Sequence, residues 1–386
     1  MPLAQAASTD LCEALPPGRV SRIIQIHPSL RCNLSCKHCY SSSGPGAKPG
    51  LEPAPLINLL EQAAPLGYNV VSLSGGEPFL YPHLGPLAQA AKQLGYYNSV
   101  TTNAMLLSAA SKQQILPFFD LVAVSVDGRE ANHDLLRDHP GSFAKMLHGV
   151  DILKAAGREI GFIHTALPRS WQLLPWLAEF AQSHGARLLH IHPLEHTGRA
   201  ANGLFLPEAA DTRFTADTLL TADKHLTTDT HFTDNRFTAE NLHKLYIAAH
   251  YLQAYCSPDL FIQLDLLHRD NIIGNRSFHF PHPKRRPRPT ATTFSHLFGE
   301  LIVNEHGDLL PIAHGCSNYF RIGNIHSGRP LDEMIEAFID EKFTHLLELH
   351  NTTYDAIAAD PSLEIVNWSE RLLENSHVIS SPHPSA

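Results

Sequence analysis

The sequence predicts an α/β fold in which parallel strands alternate with helices that cover the outside of the sheet. Short apolar runs recur along the first 200 residues, and each is followed by a stretch with the apolar spacing of a helix. Three of these helical stretches stop at a glycine, namely Gly67, Gly95 and Gly157, as helices commonly do. Six strand-then-helix steps favour parallel strands. A doubly wound sheet and a partial barrel both satisfy this pattern.

The elements follow in order after a lead-in at residues 1–20, which is rich in Ala and Pro and is expected to be flexible. Strands are predicted where apolar runs lie between turn residues, at 22–27, 70–73, 98–102, 121–126, 160–165 and 187–192. Helices are predicted where apolar residues recur at helical spacing, at 56–64, 84–94, 108–115, 142–156 and 171–183.

Beyond residue 200 the alternation fades. Residues 211–240 are rich in Thr and Asp and are interpreted as an insertion or a capping helix, and the basic, proline-rich residues 281–290 as an exposed loop. Residues 301–304 and 308–310 flank His306-Gly307 and predict a hairpin. Residues 331–349 predict a helix, followed by an adherent tail at 350–386. We divide the chain into a lead-in (1–20), a core (21–205), an insertion or linker region (206–300), and an extension with its tail (301–386).

The composition restricts the class of protein. Of the 386 residues 43% are hydrophobic and 17% charged, which is a globular balance. The formal charge of −9 argues against nucleic acid as a partner. No apolar run approaches the roughly 20 residues that span a bilayer. The N-terminus carries Asp10 and Glu13 rather than a basic region, so no secretory signal is predicted. Because the chain also carries clustered free thiols, we expect the protein to be located in the reducing cytoplasm.

Three of the six cysteines, Cys32, Cys36 and Cys39, follow the first predicted strand within eight residues. An odd trio this tight fits a disulfide framework poorly, whereas a loop can fold three thiolates around one metal centre. Iron–sulfur cubanes normally have four cysteine ligands. Three leave one iron open for a substrate or cofactor, which suggests catalysis. The rival interpretation is a zinc site with His38 as a fourth ligand.

A second informative stretch, Ser74-Gly75-Gly76-Glu77-Pro78, comes directly after a predicted strand. Two glycines allow a ligand to approach the backbone closely, and exposed amides can hold polar groups. A tight turn between strand and helix is the plainer interpretation of this stretch taken alone.

From Ile23 to Ala200 the chain resembles the radical S-adenosylmethionine (radical SAM) enzymes. It is most similar to the branch that contains peptide-modifying maturases with a SPASM/twitch-like C-terminal extension. Six stretches match in the expected order: Cys32 to Tyr40; Ser74 to Pro78; Thr102-Asn103; Ser125 to Gly128 running on to His133, Asp134 and Arg137; Pro140 to Phe143; and Pro193 to Ala200. The fold that this resemblance implies is a partial (β/α)6 TIM-like barrel with a C-terminal α+β extension. Its site lies at the carboxyl ends of the strands.

The resemblance also implies the cofactors and their ligands. Cys32, Cys36 and Cys39 would bind three irons of a [4Fe–4S] cluster, and S-adenosylmethionine would bind the fourth iron. The residues that would contact S-adenosylmethionine are Gly75, Gly76 and Glu77 at its amino-acid end, Asn103, Ser125, Asp127 and Arg137 at ribose or carboxylate, and Tyr40 and the backbone near Leu194 at adenine. Asp127 and Arg137 could instead form a simple ion pair. His164, at the fifth strand end, could face the cavity or the core.

The implied activity is reductive cleavage of S-adenosylmethionine, with hydrogen abstraction from a substrate by the 5′-deoxyadenosyl radical. We expect a ribosomally made peptide or protein as substrate, and an electron donor such as flavodoxin or ferredoxin. The alternative is a small molecule or cofactor precursor. A remote alternative is a non-catalytic iron–sulfur sensor.

The C-terminal extension departs from the pattern of that branch. The family has a cysteine after the proline that follows the hairpin, and here Ile312 follows Pro311. Outside the main trio only Cys12, Cys256 and Cys316 remain, whereas full cysteine ligation of a further [4Fe–4S] cluster needs four. A second cluster held by Cys256, Cys316 and the nearby His314 is the less favoured interpretation. A degenerate extension that caps the barrel or grips substrate is favoured.

Overall fold

The computed structural model describes residues 21–201, 206–207, 232–233, 236–256, 258–275 and 288–379. The predicted lead-in, most of the Thr/Asp-rich stretch and all but the end of the basic loop lie outside the described residues. Within those ranges, no helix combines the length and the apolar character needed to cross a membrane.

One mixed sheet of ten strands forms the centre of the protein. The strands are β1 (Ile23–Ile26), β2 (Val70–Leu73), β3 (Tyr97–Thr102), β4 (Leu121–Ser125), β5 (Glu159–Ala166), β6 (Leu188–Pro193), β9 (Phe261–Leu264), β11 (Glu300–Val303), β12 (Asp308–Leu310) and β13 (Gly323–Asn324). Their order in the sheet is β13-β12-β11-β1-β2-β3-β4-β5-β6-β9. The eight central strands, from β11 to β9, are parallel, and the predicted α/β fold is confirmed. Two small antiparallel pairs join β7 (Leu206–Pro207) to β8 (Phe232–Thr233) and β10 (Leu267–His268) to β14 (Ile365–Val366).

The helices, numbered in chain order, are α1 (Pro53–Ala63), α2 (Leu84–Gln93), α3 (Ala110–Gln113), α4 (Glu130–Arg137), α5 (Ser142–Ala155), α6 (Leu174–Ser183), α7 (Ala239–Tyr255), α8 (Arg269–Gly274), α9 (Ala291–Leu297), α10 (Leu331–Glu341), α11 (Phe343–Ala359) and α12 (Trp368–Ile379). Helix α1 illustrates why they cover the sheet. It begins at a proline, and Leu56, Leu59, Leu60 and Ala63 form one buried stripe at helical spacing. The stripe packs with Ile24 and Ile26 of β1 in the main core.

The sheet is strongly curved. If it were flat, eight strands spaced roughly 4.8 Å apart would put β11 and β9 about 34 Å from each other. Burial, and then the Asp265 carboxylate next to the end of β9, nevertheless raise the pKa of Glu300 on β11 to about 7. Such an influence requires the two outer parallel strands to approach each other. The sheet therefore encloses a concave inner face, as a partial barrel does.

The C-terminal region contains the predicted hairpin and more structure than the sequence indicated. Strands β11 and β12 pair antiparallel, and β11 joins the central sheet beside β1. The single helix predicted at 331–349 is wrong: Lys342 leaves the helical conformation, with φ −131°, and separates α10 from α11. This break lets α10 pack against α1 while α11 packs against α12, and the predicted tail is thus largely helical. Helix α4 was not predicted.

Candidate active site

The cysteine loop, residues 31–44, connects β1 to the segment before α1 and is closed by its own backbone. The amide of Cys32 donates to the carbonyl of Gly44 (3.1 Å), and the amide of Cys39 donates to that of Cys36 (3.3 Å). Cys32 and Cys36 are buried, and Cys39 is half-buried. All three belong to one small cluster of packed side chains. The loop therefore gathers the three thiols at the carboxyl end of β1, as the sequence predicted.

The spacing of the thiols argues against the zinc alternative. A tetrahedral zinc ion holds its sulfur ligands about 3.8 Å apart. The sulfur atoms of Cys32, Cys36 and Cys39 do not all lie within 4.8 Å of one another. His38 is directed elsewhere, because its Nε2 lies 3.4 Å from the Asp127 carboxylate. The donor set fits a larger centre whose metals each take one thiolate, such as an iron–sulfur cubane.

Arg137, the last residue of α4, joins the cysteine loop to the end of β4. Its Nε donates to Oδ2 of Asp127 at 2.6 Å, and its Nη1 donates to the sulfur of Cys36 at 3.8 Å. All three side chains are buried. The ion pair considered in the sequence analysis therefore forms, and it reaches a cysteine sulfur.

The Arg137 guanidinium affects the protonation of both of its neighbours, the Cys36 thiol and the Asp127 carboxyl group. Burial raises the pKa of the Cys36 thiol, and Arg137 opposes that rise. Burial also acts to raise the pKa of Asp127, but Arg137 and neighbouring histidines hold it well below its usual range. Asp127 is thus a buried anion, and Arg137 is a positive charge placed to favour thiolate at Cys36.

Glu77 ends the glycine turn, and its buried carboxylate accepts three hydrogen bonds. Oε1 accepts from the amide of Phe79 (3.0 Å) and the hydroxyl of Thr102 (2.8 Å), and Oε2 accepts from the amide of Asn103 (2.9 Å). A carboxylate has about four acceptor positions. One position on Oε2 therefore stays available for a ligand donor such as an ammonium group.

The change Glu77→Gln tests this arrangement. An amide can present only one acceptor oxygen, so its NH₂ group would oppose at least one of the three donors. We expect a loss of roughly 1–3 kcal/mol of stability, the usual cost of a buried donor left without a partner. Binding of S-adenosylmethionine should weaken at the same time, and equilibrium dialysis would measure it. Glu61→Gln, on α1, is the matched control. Equal S-adenosylmethionine affinity in the wild-type and Glu77→Gln chains would contradict the assignment.

The two glycines before Glu77 allow the turn to lie directly on the cysteine loop and the segment before it. Gly75 has φ +103°, and a Cβ on it would lie 2.7 Å from the carbonyl oxygen of Ser29. A Cβ on Gly76 would lie 2.3 Å from the carbonyl oxygen of Arg31. The amides of Gly76 and Glu77 donate to these same two carbonyls, each at 2.9 Å. In this structure the glycines therefore serve close approach between two pieces of backbone.

The other residues predicted to contact S-adenosylmethionine lie around this centre. The Asn103 side chain donates to Oδ1 of Asn33 in the cysteine loop (2.8 Å). The ring of Tyr40 lies edge-on to His314, with centroids 5.6 Å apart. Ser125 ends β4. Leu194 is buried, and its amide donates to the carbonyl of Ala166 (2.9 Å). Their contacts with the cofactor stay predictions. His164 is buried, with Nδ1 3.0 Å from the carbonyl oxygen of Val126.

Gly198 and Arg199 received no role from the sequence, although they lie in a stretch that carried the resemblance. The Arg199 amide donates to the Cys39 carbonyl (2.9 Å), and its Nε donates to the Cys36 carbonyl (2.7 Å). Gly198 has φ +56°, and a Cβ there would lie 2.2 Å from the Tyr40 carbonyl oxygen. This turn after β6 therefore holds the cysteine loop in addition to the glycine turn.

The two described cysteines beyond this loop, Cys256 and Cys316, do not converge. Cys316 packs with Ile302, Leu310 and Leu373, whereas Cys256 packs against the main core at the end of α7. The His314 side chain pairs with Glu305 at 3.1 Å. In the part of the chain that the structure describes, these three residues form no group of metal ligands.

Residues 26–180 match the family model of the radical SAM superfamily. The chain contains a radical SAM domain. This family uses a [4Fe–4S] cluster and S-adenosylmethionine. The residues present fit both groups, since three thiols converge on one loop and Glu77 keeps an acceptor position at its edge.

Two curated relatives share this part of the chain. The pre-heme d1 synthase of Dinoroseobacter shibae is 32% identical over 190 residues, which is 47% of this chain and 47% of the relative. The AdoMet-dependent heme synthase of Methanosarcina barkeri is 29% identical over 181 residues, which is 46% of this chain and 52% of the relative. The chain thus spans about half the length of the curated relatives it matches.

Two solved structures share the fold. The radical SAM domain and its extension are similar to Streptococcus suis SuiB bound to S-adenosylmethionine, with a TM-score of 0.55 and 15% identity over 83% of this chain and 66% of SuiB. They are also similar to anSMEcpe with bound AdoMet, with a TM-score of 0.55 and 15% identity over 93% of this chain and 97% of that protein. At this identity the likeness shows the partial-barrel fold with its C-terminal extension.

Proposed function

We propose that this chain is a radical SAM enzyme that acts on a small organic molecule. The cysteine loop is the observation that carries the enzymatic part, because three gathered thiols beside Glu77 suit a cluster with one iron open to S-adenosylmethionine. When bound, a reduced cluster and S-adenosylmethionine supply a carbon-centred radical that abstracts hydrogen from a substrate carbon.

The residues of the chain have distinct tasks in this proposal. Cys32, Cys36 and Cys39 hold the cluster, and Arg137 favours the thiolate at Cys36. The free acceptor position of Glu77 takes an N–H of the ammonium group of S-adenosylmethionine. The concave inner face orients the substrate and keeps water away from the reacting carbon.

The sequence left two hypotheses open, a peptide substrate and a small-molecule substrate. The peptide hypothesis rested on the C-terminal extension, and a structure of SuiB with its precursor peptide SuiA shares the fold at 14% identity. The relatives at higher identity are named for small molecules: two heme synthases, as above, and a GTP 3′,8-cyclase of Mycobacterium tuberculosis at 32%. These names favour the small-molecule alternative, with a tetrapyrrole as the first candidate.

Release of 5′-deoxyadenosine tests the activity. The chain would be reconstituted with iron and sulfide without oxygen, reduced, and incubated with S-adenosylmethionine. We expect release by the wild-type chain and only background release by Cys36→Ala, because that cluster ligand is lost. Cys256→Ala, which changes a cysteine outside the loop, should keep the activity. Absence of release even with substrates of both classes would contradict the whole proposal.

The substrate class is tested separately by adding a tetrapyrrole or a panel of candidate peptides to the same assay. The tetrapyrrole is iron-coproporphyrin III, for which a further Methanosarcina barkeri relative, 25% identical over 173 residues, is named. We expect the tetrapyrrole to increase 5′-deoxyadenosine release and to change in mass. A response to a peptide alone would overturn the small-molecule part and leave the radical SAM part standing. An electron donor such as flavodoxin or ferredoxin should replace the chemical reductant, and a reducing cytoplasm would keep the loop thiols free.

A further inference from the structure

Strand β6 carries His190 and His192 on the inner face of the sheet. Successive side chains of a strand point to opposite faces, so two residues with one residue between them share a face. Leu189 and Ile191, which alternate with the histidines, pack in the main core among the outer helices. The two histidine rings lie side by side, with centroids 3.7 Å apart. Both imidazoles are therefore directed into the concave interior.

The neighbouring strand supplies a carboxylate to the same place. Asp265 follows β9 directly, and β9 is paired in parallel with β6. Its Oδ1 lies 2.9 Å from Nε2 of His190, and its Oδ2 contacts Nδ1 of His192. Taken together, one ligand atom from each of the three residues lies within 4.8 Å of the others. No other group of this kind occurs in the described ranges.

Two further polar groups surround this triad. Gln263 is paired with His190 in the sheet register, and its buried Oε1 has no hydrogen-bond partner within the described residues. Glu300, at the start of β11, feels the charge of both Asp265 and His192 across the concave face. A buried amide oxygen without a donor and a second carboxylate both suit a cation between them.

We propose that His190, His192 and Asp265 form a second metal site, which binds one divalent first-row transition ion such as Zn²⁺ or Fe²⁺. Two imidazoles and one carboxylate are the donors that such ions prefer, whereas Mg²⁺ and Ca²⁺ prefer oxygen alone. Tetrahedral ligand atoms around zinc lie about 3.3 Å apart, so movements of about 1 Å by the side chains would complete the site.

The geometry also indicates what the ion would do. Three protein ligands leave at least one coordination position open, and Glu300 or a ligand oxygen could occupy it. An ion in this position faces the concave interior, where a substrate carboxylate or carbonyl could bind to it. The site does not depend on cleavage of S-adenosylmethionine, because none of its ligands belongs to the cysteine loop.

Metal content provides the first test. The reconstituted full-length chain would be dialysed against Zn²⁺ and analysed by inductively coupled plasma mass spectrometry. We expect one zinc per chain in the wild type and loss of that equivalent in His190→Ala/His192→Ala. His148→Ala removes an exposed histidine of α5 and should keep the zinc. Zinc content that is absent from the wild type, or unchanged in the double variant, would overturn the site.

Cobalt spectroscopy provides a second test that scattered surface histidines cannot mimic. The full-length chain with Cys32, Cys36 and Cys39 changed to Ala lacks the clustered thiolates of the cysteine loop, and Co²⁺ should give it the intense visible bands of a tetrahedral or five-coordinate ion. Asp265→Asn keeps the shape of the side chain and should abolish these bands. This variant tests the site even if the double histidine variant does not fold. Only the weak bands of hexahydrated Co²⁺, or bands that persist in Asp265→Asn, would refute the proposal.

Discussion

Gly76→Ala should prevent assembly of most of the iron–sulfur cluster. The added Cβ would lie 2.3 Å from the Arg31 carbonyl oxygen and 2.7 Å from the Leu30 carbonyl carbon, and both are backbone atoms that cannot rotate away. Overpacking typically costs about 1–3 kcal/mol, and a clash with fixed backbone atoms is expected at the upper end of that range. The strain falls on the residue next to Cys32, so the cysteine loop must shift. Iron and sulfide analysis after reconstitution would show most of the cluster missing.

The chain offers a matched control for this change. Gly46 follows the cysteine loop, and a Cβ there would have nothing within 4 Å. Gly46→Ala adds the same methyl group close to the loop and should keep full cluster content. Comparison of the two variants therefore distinguishes a steric clash at Gly76 from a general effect of replacing glycine by alanine. Equal cluster content in Gly76→Ala and Gly46→Ala would show that the loop does not depend on the glycine turn.

Arg137→Met should destabilise the protein by about 3–5 kcal/mol, because it leaves the Asp127 carboxylate buried without its cation. Oδ1 of Asp127 already lacks a hydrogen-bond partner within the described residues, and the variant would remove the strong one on Oδ2. The midpoint of thermal unfolding should fall by roughly 6 °C or more. Cluster content should fall too, because Cys36 loses the positive charge that favours its thiolate.

The dependence on pH identifies the cause of this loss. In the wild type the pKa of Asp127 is depressed, so the ion pair stabilises the fold at neutral pH and that contribution is lost only in strong acid. In the variant, burial without the cation raises the pKa of Asp127 instead. The folded variant then gains a proton more readily than the unfolded chain. Its deficit in stability should be smaller at about pH 5.5 than at about pH 7.5.

A second ion pair between the cysteine loop and the end of α4 serves as the control. Lys37 in the cysteine loop and Asp138 after α4 are paired at 2.7 Å, but their side chains are 36% and 54% exposed. Exposed pairs of this kind contribute about 1 kcal/mol or less. Lys37→Met should therefore change the unfolding midpoint little. If Lys37→Met and Arg137→Met had equal effects, the buried pair would not be what fixes α4 to the loop.

Both predictions concern the same arrangement, in which three separate segments contact the cysteine loop and support it. The glycine turn after β2 supports it through Gly76, the end of α4 through Arg137, and the turn after β6 through Arg199. Each of these supports follows a different strand, and the carboxyl ends of parallel strands meet at one edge of the sheet. The three supports, which the strand order of the sheet brings to this edge, therefore help to position the three thiols.

The sequence determined the α/β fold class, strands β1 to β6 and the centre of the chemistry, whereas strand β9 of the central sheet was not predicted. Those features are local: a buried strand is an apolar run, and Cys32, Cys36 and Cys39 lie within a single loop. The same locality explains the errors. Nothing in the residues 331–349 marked Lys342 as a helix break, because the break serves packing of α10 and α11 on different neighbours.

Tertiary structure alone decided the contacts between distant segments. Arg137 is 101 positions from Cys36, and Arg199 is 163 positions away, so no spacing in the sequence could reveal either contact. It also decided that Asp265 meets His190 and His192, 75 positions from the first of them, through the pairing of β9 with β6. Local patterns specify which residues form each strand, whereas the order and curvature of the strands determine which side chains meet.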